Sequence, residues 1–89
     1  MKPRMQRTIE HHFKTRAWFP GNKPTSDEGV ALKPEEAEAI RLSHGEQLSH
    51  KAGGERMGVS RATFGRDLEN GLAKIAEAMA HGKAIVIEK

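Results

Sequence analysis

Three residues, Gly58-Val59-Ser60, constrain this chain most, because they end one helix and begin another within a single corner. Glycine permits the tight turn. The Ser60 hydroxyl can then accept an orphan N–H of the next helix's first turn. Behind that cap, Phe64, Leu68, Leu72, Ile75 and Met79 recur at spacings of four, four, three and four. This is the stripe of an amphipathic helix facing a core. The opposite face near the helix start carries Ala62, Thr63, Arg66 and Asn70, with Arg61 at the tip. A small, polar and basic helix start after a glycine corner suits entry into a DNA major groove. The segment reads as a helix-turn-helix.

The flanking elements follow from local signals. Proline is tolerated at a first helical position, so the first helix starts at Pro34, with Glu35, Glu36 and Glu38 near the positive end of its dipole. Gly45 ends it. A second helix runs from a Ser49 cap to Met57 and contains Gly53-Gly54. Each interior glycine costs about 1 kcal/mol relative to alanine, so a close helix crossing is expected there. The third helix runs from Ser60 to about Ala80, with Gly82 as its C-cap and Gly65 and Gly71 allowing a bend. Ala84-Ile85-Val86-Ile87 is a β-branched run that reads as a strand and needs a partner, for which Thr8-Ile9 is the best candidate. Residues 22–29, rich in Pro, Ser, Thr, Asp and Gly, read as loop.

The expectation is a mainly α fold, a three-helix helix-turn-helix domain over residues 30–82. A basic N-terminal arm and loop occupy 1–29, and a short flanking β strand occupies 83–89. With 89 residues, 36% apolar content and one Trp, the core is small, and dimerisation would supply part of the stability. There is no cysteine, which removes disulfides and thiolate metal sites. No apolar run approaches a membrane span, so a cytoplasmic protein without membrane contact is expected.

Charge is unevenly placed. Residues 1–33 hold seven Lys/Arg against three acids, whereas residues 34–48 hold four Glu against one Arg. A basic arm (Lys2, Arg4, Arg7) suits phosphates, while the acidic first helix reads as an ordinary solvated face. Trp18 and Phe19 read as cover for the small core.

Beyond these local readings, Glu55-Arg56-Met57-Gly58-Val59-Ser60-Arg61-Ala62-Thr63-Phe64-Gly65-Arg66 is similar to the signature of the UPF0251 (DUF134) family. The likeness extends through residues 32–42, 72–76 and 82–85, and more loosely to Pro3-Arg4, Arg7 and Phe19-Pro20. It implies a DNA-binding protein whose helix-turn-helix resembles region 4 of sigma-70 factors. The second helix departs from the pattern, with Ser49-His50-Lys51-Ala52-Gly53-Gly54 in place of an acidic, alanine-rich stretch. The loop at residues 11–28 departs most. Some members carry a further domain resembling iron–molybdenum cofactor proteins, for which 89 residues leave no room.

The expected partner is double-stranded DNA, with RNA polymerase and a second copy as further candidates. Arg66 is placed for a bidentate contact with guanine, Ala62 or Thr63 for a thymine methyl, and Asn70 beside them. Ser60, Arg61 and the helix N-terminus suit phosphate, as does Lys74 further along. Lys51 and His50, at the start of the second helix, are also placed to touch the backbone. In the plainer reading, Arg66 pairs with Glu69 or Asn70 on a solvated surface. A protein-interaction module using the acidic first helix or the strand edge is the second class of function. A metal-responsive sensor is the third, although no metal-ligand spacing links the five histidines. No cofactor is implied. A catalytic role lacks a nucleophile–base pair and room for a substantial pocket.

Overall fold

The computed structural model describes residues 7–21 and 29–88. Strands β1 (Ala17–Trp18) and β2 (Gly29–Leu32) precede helix α1 (Pro34–Ile40), which runs into one π-helical turn at Arg41–Gly45. Helices α2 (His50–Met57) and α3 (Arg61–His81) follow, and then strand β3 (Ala84–Ile87). The fold is mainly α with a small flanking sheet, as expected.

The caps form as read from the sequence. Ser49 accepts the Ala52 N–H and Ser60 accepts the Thr63 N–H. Between the helices, Gly58 adopts a left-handed φ of 73°, a conformation that a Cβ would strain. Gly82 ends α3 in the same way. The glycines of α2 mark the close crossing. A Cβ on Gly53 would lie 2.4 Å from Cζ of Phe64, so the Phe64 ring fills the space where that side chain would be.

The strand partner differs from expectation. β3 is the central strand, antiparallel to β1 and parallel to β2, with Gly29 to Leu32 beside Ala84 to Ile87. Thr8 and Ile9 form no strand. The Thr8 N–H instead donates to the Met57 carbonyl at 2.8 Å, across the α2–α3 corner. A parallel pair needs a long crossover, which the three helices supply. Gly29 therefore belongs to β2 rather than to a loop, and the expected boundary at residues 29–30 falls inside that strand. The remainder of the expected loop, residues 22–28, lies outside the described residues.

Two apolar clusters form the core. Ala39, Leu42, Met57, Phe64 and Leu68 join the helices, and Leu32, Ala37 and Ile87 join the sheet to α1. The α3 stripe is only partly buried. Phe64, Asp67, Leu68, Gly71 and Ala78 face inward, whereas Leu72 and Met79 are exposed. At about 100° per residue, positions 72 and 79 sit on the flank of this line. The line is fixed by Gly71, where a Cβ would lie 2.9 Å from Cδ1 of Ile40 on α1. Trp18 and Phe19 are exposed rather than covering the core.

The acidic first helix is not solvated. Glu36 and Glu38 are both buried. Glu36 Oε1 accepts the Lys33 N–H at 2.9 Å and Lys74 Nζ at 2.8 Å. Glu38 takes a two-pronged contact from Arg41, at 3.0 and 2.9 Å, and the Glu10 N–H at 3.1 Å. Arg41 continues to Glu46, and Arg56 bonds both Glu46, at 3.3 Å, and Glu10, at 2.6 Å. These charges tie the N-terminal segment, α1 and α2 together.

The network makes stability fall in acid. Hydrogen bonds from Arg56 to Glu10, and from Arg41 and Arg56 to Glu46, hold both carboxyls below the ordinary value of 4.5. Their ionised forms thus stabilise the fold above pH 4.5, and the contribution is lost as pH falls through the lower folded-state values. Chemical denaturation across pH should show this loss, reduced by high salt because both groups are half-exposed. A Glu10→Gln, Glu46→Gln variant should lose less on acidification than the parent.

Candidate nucleic-acid interface

The first half of α3 is clamped on one side and bare on the other. On the clamped side, Phe64 is completely buried against Gly53, and Asp67 is buried two turns from the helix start. Asp67 receives Arg7, with Nε at 2.8 Å and Nη2 at 3.2 Å. This carboxylate raises the guanidinium's pKa, fixing its charge. The segment that carries Arg7 and Thr8 therefore crosses the corner and is bound to both helices. At the tip, Ser60 Oγ accepts the Thr63 N–H at 3.0 Å and lies 3.1 Å from Thr63 Oγ1.

On the bare side, Arg61, Ala62, Arg66 and Asn70 are exposed. None of their side chains has a hydrogen bond or ion pair with another described residue, and Arg66 does not pair with Glu69 or Asn70. The guanidiniums offer forked donors, Asn70 offers a donor–acceptor amide, and the helix dipole adds partial positive charge at the same end. Thr63 is half-exposed with its hydroxyl engaged by Ser60. Lys51 lies 3.5 Å from Glu55, both largely exposed, and a pair of that kind holds a lysine only weakly.

Three expected contacts are placed elsewhere. Lys74 is drawn against α1 by buried Glu36, so it does not join this cationic group. Arg7 is occupied by Asp67, and the other arm residues, Lys2 and Arg4, lie outside the described residues. His50 turns its ring against Phe64, with centroids 5.6 Å apart, covering the core beside the α2 start. Sequence reasoning missed Asp67 as an anchor. Its signal was available, because an acid at the helical spacing of Phe64, Leu68 and Gly71 falls on the buried line and requires a cation.

The expectation of no substantial pocket needs correction. An apolar groove of about 330 Å³ lies between the sheet and α1/α3, lined by Phe13, Trp18, Leu32, Ile75, Ile85 and Ile87 among others. Among the described residues its one polar lining residue is Arg41, whose guanidinium is engaged by Glu38 and Glu46. Among the described residues no group of three His, Cys, Asp or Glu side chains could hold a metal ion, and His11 packs edge-on against Phe13. No described helix is long and apolar enough to cross a membrane.

The chain matches, over residues 1–89, a family described as "Protein of unknown function DUF134". It is 39% identical over 90 residues to a UPF0251 protein of Methanosarcina mazei, covering 99% of this chain and 54% of that one. A UPF0251 protein of Caldicellulosiruptor saccharolyticus is 51% identical over 71 residues, covering 80% and 50%. One from Vibrio parahaemolyticus is 35% identical over 86 residues, covering 96% and 90%. The chain spans about half the length of the first two of these relatives. No solved structure matches it. By full-length match to the family and by these relatives, the chain belongs to the DUF134 family of UPF0251 proteins.

Proposed function

We propose that this protein binds double-stranded DNA with sequence preference and regulates transcription, using α2, the Gly58 corner and α3 as a helix-turn-helix. The observation that carries the reading is the bare face of α3. Arg61, Ala62, Arg66 and Asn70 lie unpartnered on a helix whose other side is clamped by Phe64 and Asp67. Donors carried on a fixed helix suit base-edge contacts, because the backbone is already ordered and only the side-chain rotamers remain to be fixed on binding.

In this reading Arg66 addresses guanine O6/N7, Asn70 an adenine, and Ala62 and the Thr63 methyl a thymine methyl. Arg61, Lys51 and the capped end of α3 hold phosphates. A docking role for acidic α1 loses its support, since Glu36 and Glu38 are occupied inside the protein.

Selection of bound sequences from a random duplex pool, followed by gel-shift titration, tests the proposal. Arg66→Ala should lower preference at one position by about 1–3 kcal/mol while leaving non-specific affinity largely intact. Arg61→Ala should weaken binding to every duplex and reduce the salt slope by about 1. Variants that bind as the parent does would refute the docking.

A further inference from the structure

The geometry points to a second copy of this chain as the partner of the C-terminal half of α3, packed antiparallel about a two-fold axis near Ala76. The solvent face of this half carries Leu72, Ala73, Ala76, Met79 and Ala80, all exposed and uncharged, with exposed Glu77 and His81 along one edge. Leu72, Ala76 and Met79 repeat at i, i+4 and i+7, the spacing of a helix–helix seam. The sequence thus carries its apolar stripe past Leu68, onto a face that the chain's own core leaves open. The small alanines allow close approach of another helix.

The exposed aromatics adjoin this seam. Met79 is 76% exposed, Phe19 65%, Trp18 45% and Leu72 38%. Met79 and Phe19 both rim a recess of about 250 Å³ whose walls include Trp18, Pro20 and Ile85. About an axis near Ala76, Met79 of each copy stands across from Ala73 of the other, whose small side chain leaves it room, as an isologous contact requires.

The area agrees with a stable pair. Taking about 200 Å² per large apolar side chain, the exposed parts of these four residues offer roughly 450 Å² per copy, about 900 Å² for two. A standard interface buries about 1,600 Å², of which about 57% is apolar, also close to 900 Å².

The charges select the antiparallel arrangement. A parallel pairing would bring Arg61 and Arg66 of one copy toward those of the other, with their helix dipoles aligned. The antiparallel one separates them and leaves both Ser60-capped ends free. It also sets the Glu77–Lys83 pair of one copy, 2.9 Å apart, at the rim beside opposite charges of the other.

Sedimentation equilibrium of the 89-residue protein without DNA tests this independently of nucleic-acid binding. The parent should show a concentration-dependent monomer–dimer equilibrium. Met79→Lys and Ala76→Lys should each weaken the dimer at least tenfold. Both positions are exposed in the single chain, so circular dichroism of the diluted variants should match that of the parent. Ala62→Lys, on the bare face near the α3 start, should leave the dimer constant unchanged. A parent that stays monomeric at millimolar concentration would overturn the inference and leave the face to another protein. A dimer unaffected by Met79→Lys and Ala76→Lys would overturn it as well.

Discussion

Replacing Gly53 with alanine should destabilise the protein by about 2–3 kcal/mol, although alanine is the better helix former by about 1 kcal/mol. The added methyl carbon would lie 2.4, 2.5 and 2.9 Å from three carbons of the Phe64 ring. That ring is completely buried among Ala39, Leu42, Met57 and Leu68, so relief requires α2 and α3 to move apart. For a domain of this size, the loss corresponds to a melting-point drop of about 10–20 °C. A double-mutant cycle separates the clash from ordinary core damage. In a Phe64→Leu background the same alanine should be neutral or stabilising, since its helix preference is then unopposed. A parent that gains stability from Gly53→Ala would show that the helices do not cross this closely.

The second large effect falls on the charge network. Arg41→Met should cost about 3 kcal/mol, because it leaves the carboxylate of Glu38 buried without its cation. Glu38 has no exposed side-chain surface, whereas that of Arg41 is 20% exposed. Water can therefore ease the loss of the arginine but reaches the glutamate poorly. The double variant Arg41→Met, Glu38→Leu should recover most of the stability, as replacement of a buried ion pair by apolar groups is often near neutral. Urea denaturation with a constant m-value would establish that folding itself is being compared. Equal losses in the single and double variants would indicate that Arg41 acts through Glu46 rather than Glu38.

What was legible in the sequence was local. Ser49, Gly58, Ser60 and Gly82 act within one turn of themselves, so the helix limits and the corner could be read directly. The β-branched run at residues 84–87 was likewise sufficient to mark a strand. Its partners were not, because β2 contributes only Gly-Val-Ala-Leu and joins β3 across the whole helical unit. The buried position of Asp67 was legible from helical spacing, but its partner Arg7 lies sixty residues away and could not be read locally. Acids at a helix start usually stay wet, so burial of Glu36 and Glu38 follows only from where Lys74 and Arg41 are brought by the fold. The bare face of α3 was anticipated at Arg61, Ala62, Arg66 and Asn70. Lys74 was misassigned because helix position alone does not show that an acid on α1 waits beside it.

The central claim is that the bare face of α3 grips a DNA duplex, and its most direct measurement is a fluorescence anisotropy titration of a labelled duplex at several salt concentrations. With Arg61 and Lys51 on phosphates, log K should fall against log salt with a slope of about −2 or steeper. Absence of binding at 10⁻⁴ M protein in low salt, weaker than ordinary non-specific association, would contradict it, as would an affinity indifferent to salt.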